Sequence, residues 1–162
     1  MTAPQTFFHV GYARAASTFL QKTIFPALTG IQYIPRNNFR VRESEKRRFR
    51  SDKVLMSREA GEYIFDRCDK VHEIFSSRII LSLRRHDDLA ASTYRLYVKN
   101  GHTFRFPQFL DTENNQGVRK LEDFNYMGLI EYVEKLTGHP PLVLIFDDYK
   151  TDPDFYLDSL CA

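Results

Sequence analysis

With 162 residues the chain can bury one sizeable core, and a single domain over 1–162 is expected. Hydrophobic content of 43% beside 27% charged residues excludes a disordered chain. A net charge of +2 gives no footprint for nucleic acid. The two cysteines, Cys68 and Cys161, offer neither metal spacing nor a disulfide framework, so a reducing, cytoplasmic setting is expected. No apolar run reaches the length of a membrane span, and Met1–Gln5 does not read as a signal peptide.

The first predicted element is a short buried strand, Thr6 to Val10, closed by Gly11. Small residues follow through Ala13, Ala15 and Ala16, and then Ser17-Thr18 opens a helix predicted to run to about Leu28. A strand, a small-residue loop and a helix make an anion cradle, because loop amides and the positive end of the helix dipole converge. Set against the nucleotide P-loop, Gly-x4-Gly-Lys-Ser/Thr, Gly11 takes the first glycine's place and Ala16 the second's. Ser17 stands where the lysine belongs, Thr18 supplies the hydroxyl, and the cation is Arg14, inside the loop.

Ile31 to Ile34 reads as a second strand, stopped by Pro35. Between Arg36 and Arg50 lie seven basic residues against Glu43 and Glu45, a stretch expected to be a solvated loop or a patch for an anionic acceptor. Lys53 to Met56 is a third strand, ending at Ser57-Arg58-Glu59, and a helix is predicted from there to about Phe75. Ile79 to Leu83 is a buried strand. Asp87 or Asp88 is expected to cap the next helix, which runs to Asn100 with Gly101 as its stop. Arg84 thus stands at the carboxyl end of a strand, and Ser92 stands eight residues later in the helix.

From Lys99 to Gly117 loops and a short helix are expected, and such an insertion could line an acceptor pocket. Phe124 to Leu136 reads as a helix closed by Gly138, and Leu142 to Phe146 as a last strand. Asp147-Asp148-Tyr149 follows it, and Asp152-Pro153 starts a final helix. This alternation gives an α/β domain with a mainly parallel, P-loop nucleotide-hydrolase-like sheet of four or five strands and helices on both faces. Gly11, Ser57 and Arg84 then share the carboxyl edge, where such sheets bind ligands.

Three stretches carry a resemblance. The loop Gly11–Thr18 resembles the sulfotransferase loop Pro-Lys-Ser-Gly-Thr-Thr, with Ala13 for its proline and Ala16 for its glycine. Arg84 and Ser92 resemble that family's Arg-x7-Ser motif, and Leu142–Tyr149 resembles its Leu-Val-Leu-x-Tyr-Glu-Asp-Leu stretch. The resemblance implies 3′-phosphoadenosine 5′-phosphosulfate as co-substrate and no metal. It implies Gly11, Arg14, Ala15, Ala16, Ser17 and Thr18 at the 5′-phosphosulfate, and Arg84 with Ser92 at the 3′-phosphate. By position it makes Glu59 the general base beside a small-molecule, lipid or glycan acceptor, with Arg14 as the second catalytic residue. Sulfotransferases usually continue past the final helix into a basic loop over the nucleotide, so the chain is expected to be C-terminally incomplete relative to the family. Two alternatives stand beside this one. A P-loop kinase would use Thr18 and Asp147 with Mg²⁺, and a non-catalytic domain would only bind nucleotide. The oligomeric state is not legible.

Overall fold

The structure is a computed structural model and describes residues 3–12, 14–35 and 40–161. Expectations placed on Met1, Thr2, Ala13, Arg36 and Ala162 lie outside the described residues. Five parallel strands form one sheet: β1 (Gln5–Gly11), β2 (Gln32–Ile34), β3 (Lys53–Glu59), β4 (Arg78–Leu83) and β5 (Leu142–Ile145), in the order β2-β3-β1-β4-β5. The chain first steps outward from β1 to one side and then crosses back over it to β4. The carboxyl end of β1 is therefore the point where the winding reverses.

The apolar runs sit on strands buried from both sides, which is why they do not alternate with polar residues. Phe8, Val10, Val54, Met56, Ile79 and Leu81 face α2 (Ile64–Phe75) and α5 (Tyr126–Thr137), helices that contribute Cys68, Val71, Leu129 and Val133. Their strand neighbours Leu55, Ile80 and Leu144 face Leu20, Phe25 and Tyr156 on the other side. Successive strand residues point to opposite faces, so one run feeds two cores.

The first predicted helix is not a single α-helix. It starts as α1 (Ser17–Phe19), widens to a π-helix over Leu20–Ile24 and tightens to a 3-10 turn over Phe25–Ala27. Pro26 has no N–H to continue the ladder, and this breaks the regular pattern. β3 runs on to Glu59, three residues beyond the predicted end, so Glu59 is a strand residue and not a helix-capping one. The helix α3 (His86–Lys99) begins one residue before Asp87 and two before Asp88; Arg85 holds the N-cap position without a side-chain capping bond. Asp87 and Asp88 lie in its first turn, where carboxylates suit the dipole. The acidic run after β5 is already helical, as α6 (Phe146–Thr151), with α7 (Pro153–Cys161) behind it. The short helix expected between Lys99 and Gly117 is α4 (Phe106–Phe109).

Two cavities of about 570 and 520 Å³ open at the amino ends of the strands, bordered by Gln5 and Arg78. Lys46, in a 3-10 turn over Glu43–Arg48, lines the larger one. Lys46 of the basic stretch thus sits at the pole opposite Gly11 and Arg84, away from the carboxyl edge where the sequence resemblance places acceptor chemistry.

Candidate active site

The loop after β1 is tight for a stated reason. A Cβ on Gly11 would lie 2.8 Å from Ser17 Oγ and 3.0 Å from Ser82 Cβ, so only glycine lets the returning helix start so close to the strand. Ala15 N donates to Tyr12 O at 3.1 Å. Arg14 and Ala16 both adopt positive φ, 75° and 62°. L-residues rarely take this conformation, and each costs on the order of 1–2 kcal/mol. Ala16, which stands where the family loop has glycine, thus carries its Cβ in left-handed backbone.

Two loop hydroxyls have different surroundings. Ser17 is buried, and its Oγ has no hydrogen-bond partner among the described residues; Thr18 is exposed. A buried hydroxyl without a partner is costly, and an oxygen-rich anion seated in the loop would satisfy it.

Arg84 lies where the sequence places it, just beyond the end of β4, with its side chain 15% exposed. Its Nη1 donates to the Arg14 carbonyl at 3.2 Å, and its Nη2 reaches Asp88 Oδ2 at 3.4 Å. Its Nε is buried with no hydrogen-bond partner among the described residues. The Tyr126 hydroxyl donates to the Arg84 carbonyl at 2.8 Å, and the Tyr126 ring lies 5.4 Å from Tyr12 and stacks on His86 at 4.3 Å. Burial raises the Tyr126 phenol to about 12, so it stays protonated as a donor.

Ser92 is buried on α3, and the hydroxyl meets Arg14: Arg14 Nε donates to Ser92 Oγ at 2.9 Å. The structure therefore pairs Ser92 with the loop arginine and leaves Arg84 on the loop carbonyl. The two sequence motifs form one connected cluster at the reversal point of the sheet. Glu59 ends β3 directly beside this cluster, in register with Gly11, and Ala60 N donates to Gly11 O at 3.3 Å.

One polar network escaped the sequence reading. His9, fully buried in β1, lies between Ser57 on β3 and Ser82 on β4, with Nδ1 2.8 Å from one hydroxyl and Nε2 2.6 Å from the other. Gln21 Nε2 donates to the same Ser57 Oγ at 2.9 Å. Desolvation lowers the His9 pKa to about 3, so the ring is neutral. It is sealed in the sheet and has no route to an acceptor in this conformation. Two serines, each following or inside an apolar strand run, were the only signal that a buried histidine could be satisfied there.

Asp147, the acid of the kinase alternative, is already engaged. Its Oδ2 accepts the Arg85 amide at 2.9 Å and its Oδ1 takes Lys150 Nζ at 2.7 Å. It follows the edge strand β5, with β4 between it and the loop strand β1. Among the described residues no group of three or more His, Cys, Asp or Glu is placed to hold a metal ion, and no helix is long and apolar enough to cross a membrane.

No protein family description and no curated protein matches the chain. Its fold does match a solved structure, the crystal structure of a sulfotransferase from Alicyclobacillus acidocaldarius. The TM-score is 0.69 and the identity 16%, over 99% of this chain and 80% of that one. The chain thus has a sulfotransferase-like fold.

Proposed function

We propose that the chain, acting as one domain over 1–162, is a sulfotransferase that moves a sulfuryl group from 3′-phosphoadenosine 5′-phosphosulfate to a hydroxyl or amine of a small-molecule, lipid or glycan acceptor. The observation that carries this reading is the cluster of Arg14, Arg84 and Ser92 at the carboxyl end of β1 and β4, in a fold shared with a sulfotransferase.

The residues present suit such a donor. Ser17 Oγ and Arg84 Nε are buried polar atoms that need partners, and the Gly11 cradle leaves room that a Cβ would fill. Arg84 and Ser92 are the pair for a 3′-phosphate, since guanidinium holds phosphate oxygens in a forked geometry and keeps its charge. Gly11, Ala15, Ala16, Ser17 and Thr18 form the cradle for the 5′ end, with first-turn amides that have no intrahelical acceptor.

When bound, the donor supplies an activated sulfur. An acceptor oxygen or nitrogen attacks that sulfur, the sulfur–oxygen bond to the 5′-phosphate breaks, and 3′-phosphoadenosine 5′-phosphate leaves. Glu59 accepts the acceptor's proton. Arg14 and the loop amides stabilise charge that develops on the bridging oxygen. None of these steps calls on a metal. We place the reaction in the cytoplasm, where Cys68 and Cys161 stay as the unpaired thiols they are here.

Thermal melts test the reading. Added 3′-phosphoadenosine 5′-phosphate should raise the melting temperature in the presence of a chelator, because a ligand of the native state stabilises by mass action. An equal shift from ATP that needs Mg²⁺ would sink it in favour of a kinase.

A further inference from the structure

Arg84 does not stand alone at the end of β4. Lys150, on α6, is its neighbour in charge and in packing. Both side chains contact the same carboxylate oxygen, Asp88 Oδ2, Lys150 at 3.0 Å and Arg84 at 3.4 Å. Both also lie over the Phe146 ring, Arg84 at 5.7 Å and Lys150 at 5.2 Å from its centre. Lys150 holds a second carboxylate, Asp147 Oδ1, at 2.7 Å.

The distances rank the partners. Asp88 sits closer to the ammonium than to the guanidinium, and Arg84 meets it through one nitrogen only, where an Arg–carboxylate pair commonly uses two. A carboxylate fully paired with Arg84 would neutralise it and compete with any incoming phosphate. Lys150 takes the same Asp88 oxygen at the shorter distance and holds Asp147 as well. Asp147 is held from its other side by the Arg85 amide at 2.9 Å, and Asp87 by the Arg85 side chain at 2.7 Å. Asp147 and Asp87 are thus engaged by Lys150 and Arg85, and Asp88 is shared between Lys150 and Arg84.

We infer that Lys150 is a positioning residue that shares Asp88 with Arg84 and limits that pairing to one long contact, so that the Arg84 guanidinium stays available to the phosphate of the nucleotide. This inference rests on the proposed nucleotide reading and names the residue that sets the strength of that site. It does not make Lys150 a contact of the nucleotide.

The pKa directions agree with this division. The Lys150 ammonium lowers the Asp88 carboxyl, as its hydrogen-bond donor, and Asp147 in turn raises the Lys150 ammonium. Burial pushes the Asp147 carboxyl up, but the Arg85 amide and Lys150 outweigh it and bring it below the usual range.

The test is a set of three variants titrated calorimetrically with 3′-phosphoadenosine 5′-phosphate in chelator. Lys150→Gln should weaken binding by about tenfold, because Asp88 is then released onto Arg84. Asp88→Asn should bind as tightly as wild type or tighter. The double variant Lys150→Gln/Asp88→Asn should recover to within about threefold of wild type. Recovery on removing a second charge is not what loss of a structural tie would give. Melting curves of the ligand-free variants report whether the fold survives; Lys150 is 45% exposed and should be replaceable. If Lys150→Gln binds like wild type, or the double variant is as weak as Lys150→Gln, the inference fails while the nucleotide reading stands. A wild-type protein that does not bind the nucleotide overturns both.

Discussion

The guanidinium of Arg14 reaches 78 residues along the chain to donate its Nε proton to the hydroxyl of Ser92 at 2.9 Å. This bond ties the loop after β1 to the helix after β4, and Arg84 closes the triangle through the Arg14 carbonyl at 3.2 Å. A loop residue with positive φ is thereby held from both sides, by its side chain and by its backbone.

Coupling between the arginines is the first expected consequence. Arg84→Ala should cost about 1.5–3 kcal/mol in affinity for 3′-phosphoadenosine 5′-phosphate, as for other charged hydrogen bonds. Arg14→Ala should also weaken adenosine 5′-phosphosulfate, which lacks the 3′-phosphate. Because the two residues touch, the double variant should depart from additivity by about 0.5 kcal/mol or more. Calorimetry on the full cycle checks it, and strict additivity would mean the Arg84–Arg14 contact does not exist in solution.

Glu59→Gln isolates the proposed proton transfer. Turnover on a true acceptor should fall by about 10²-fold or more while nucleotide affinity is unchanged, since the residue is proposed to serve the acceptor and not the nucleotide. His9 cannot take its place, being sealed between Ser57 and Ser82. Unchanged turnover would move the base to another residue.

His9 also sets a pH dependence of stability. Its folded pKa of about 3 lies below the ordinary 6.5, so below pH 6.5 the unfolded chain binds a proton that the folded chain refuses. Its contribution is complete above pH 6.5 and is lost as pH falls from 6.5 toward 3. The slope is about 1.4 kcal/mol per pH unit. Urea unfolding between pH 7 and 5 should show a slope that steepens toward this limit in wild type and a shallower one in His9→Gln. Equal slopes would show that His9 can be protonated in place.

Most of the fold was legible because the strands are continuous apolar runs bounded by turn residues, and the loop and Arg84 carry local spacing. What stayed hidden depended on pairing across the sheet. Ser57 and Ser82 gain meaning only when β3 and β4 flank β1 and bring both hydroxyls to His9. Spacing related Ser92 to Arg84, but not the bond its hydroxyl accepts from Arg14 Nε across the fold. The predicted continuous first helix already widens at Leu20 and ends in a 3-10 turn at Pro26, whose missing donor outweighs good helical periodicity. The link between Asp88, Asp147 and Lys150 spans two helices from different parts of the chain and has no sequence signature.

Gly11→Ala probes the cradle. The added methyl meets Ser17 Oγ at 2.8 Å and Ser82 Cβ at 3.0 Å, so the loop must shift. The cost should be about 1–3 kcal/mol of stability, with loss of nucleotide binding at the same time. Ala16→Gly should do the reverse at its left-handed position, leaving stability unchanged or slightly raised. Thermal melts on both variants report the pair, and a clear loss of stability in Ala16→Gly would contradict the loop geometry.

The most direct measurement is calorimetric titration of the wild-type protein, in chelator, with 3′-phosphoadenosine 5′-phosphate and with adenosine 5′-phosphate. The two differ only in the 3′-phosphate that Arg84 is proposed to hold. A preference of about tenfold or more for the first, erased by Arg84→Ala, is the expected result. Equal affinity for both nucleotides, or binding that appears only with Mg²⁺, would contradict the account.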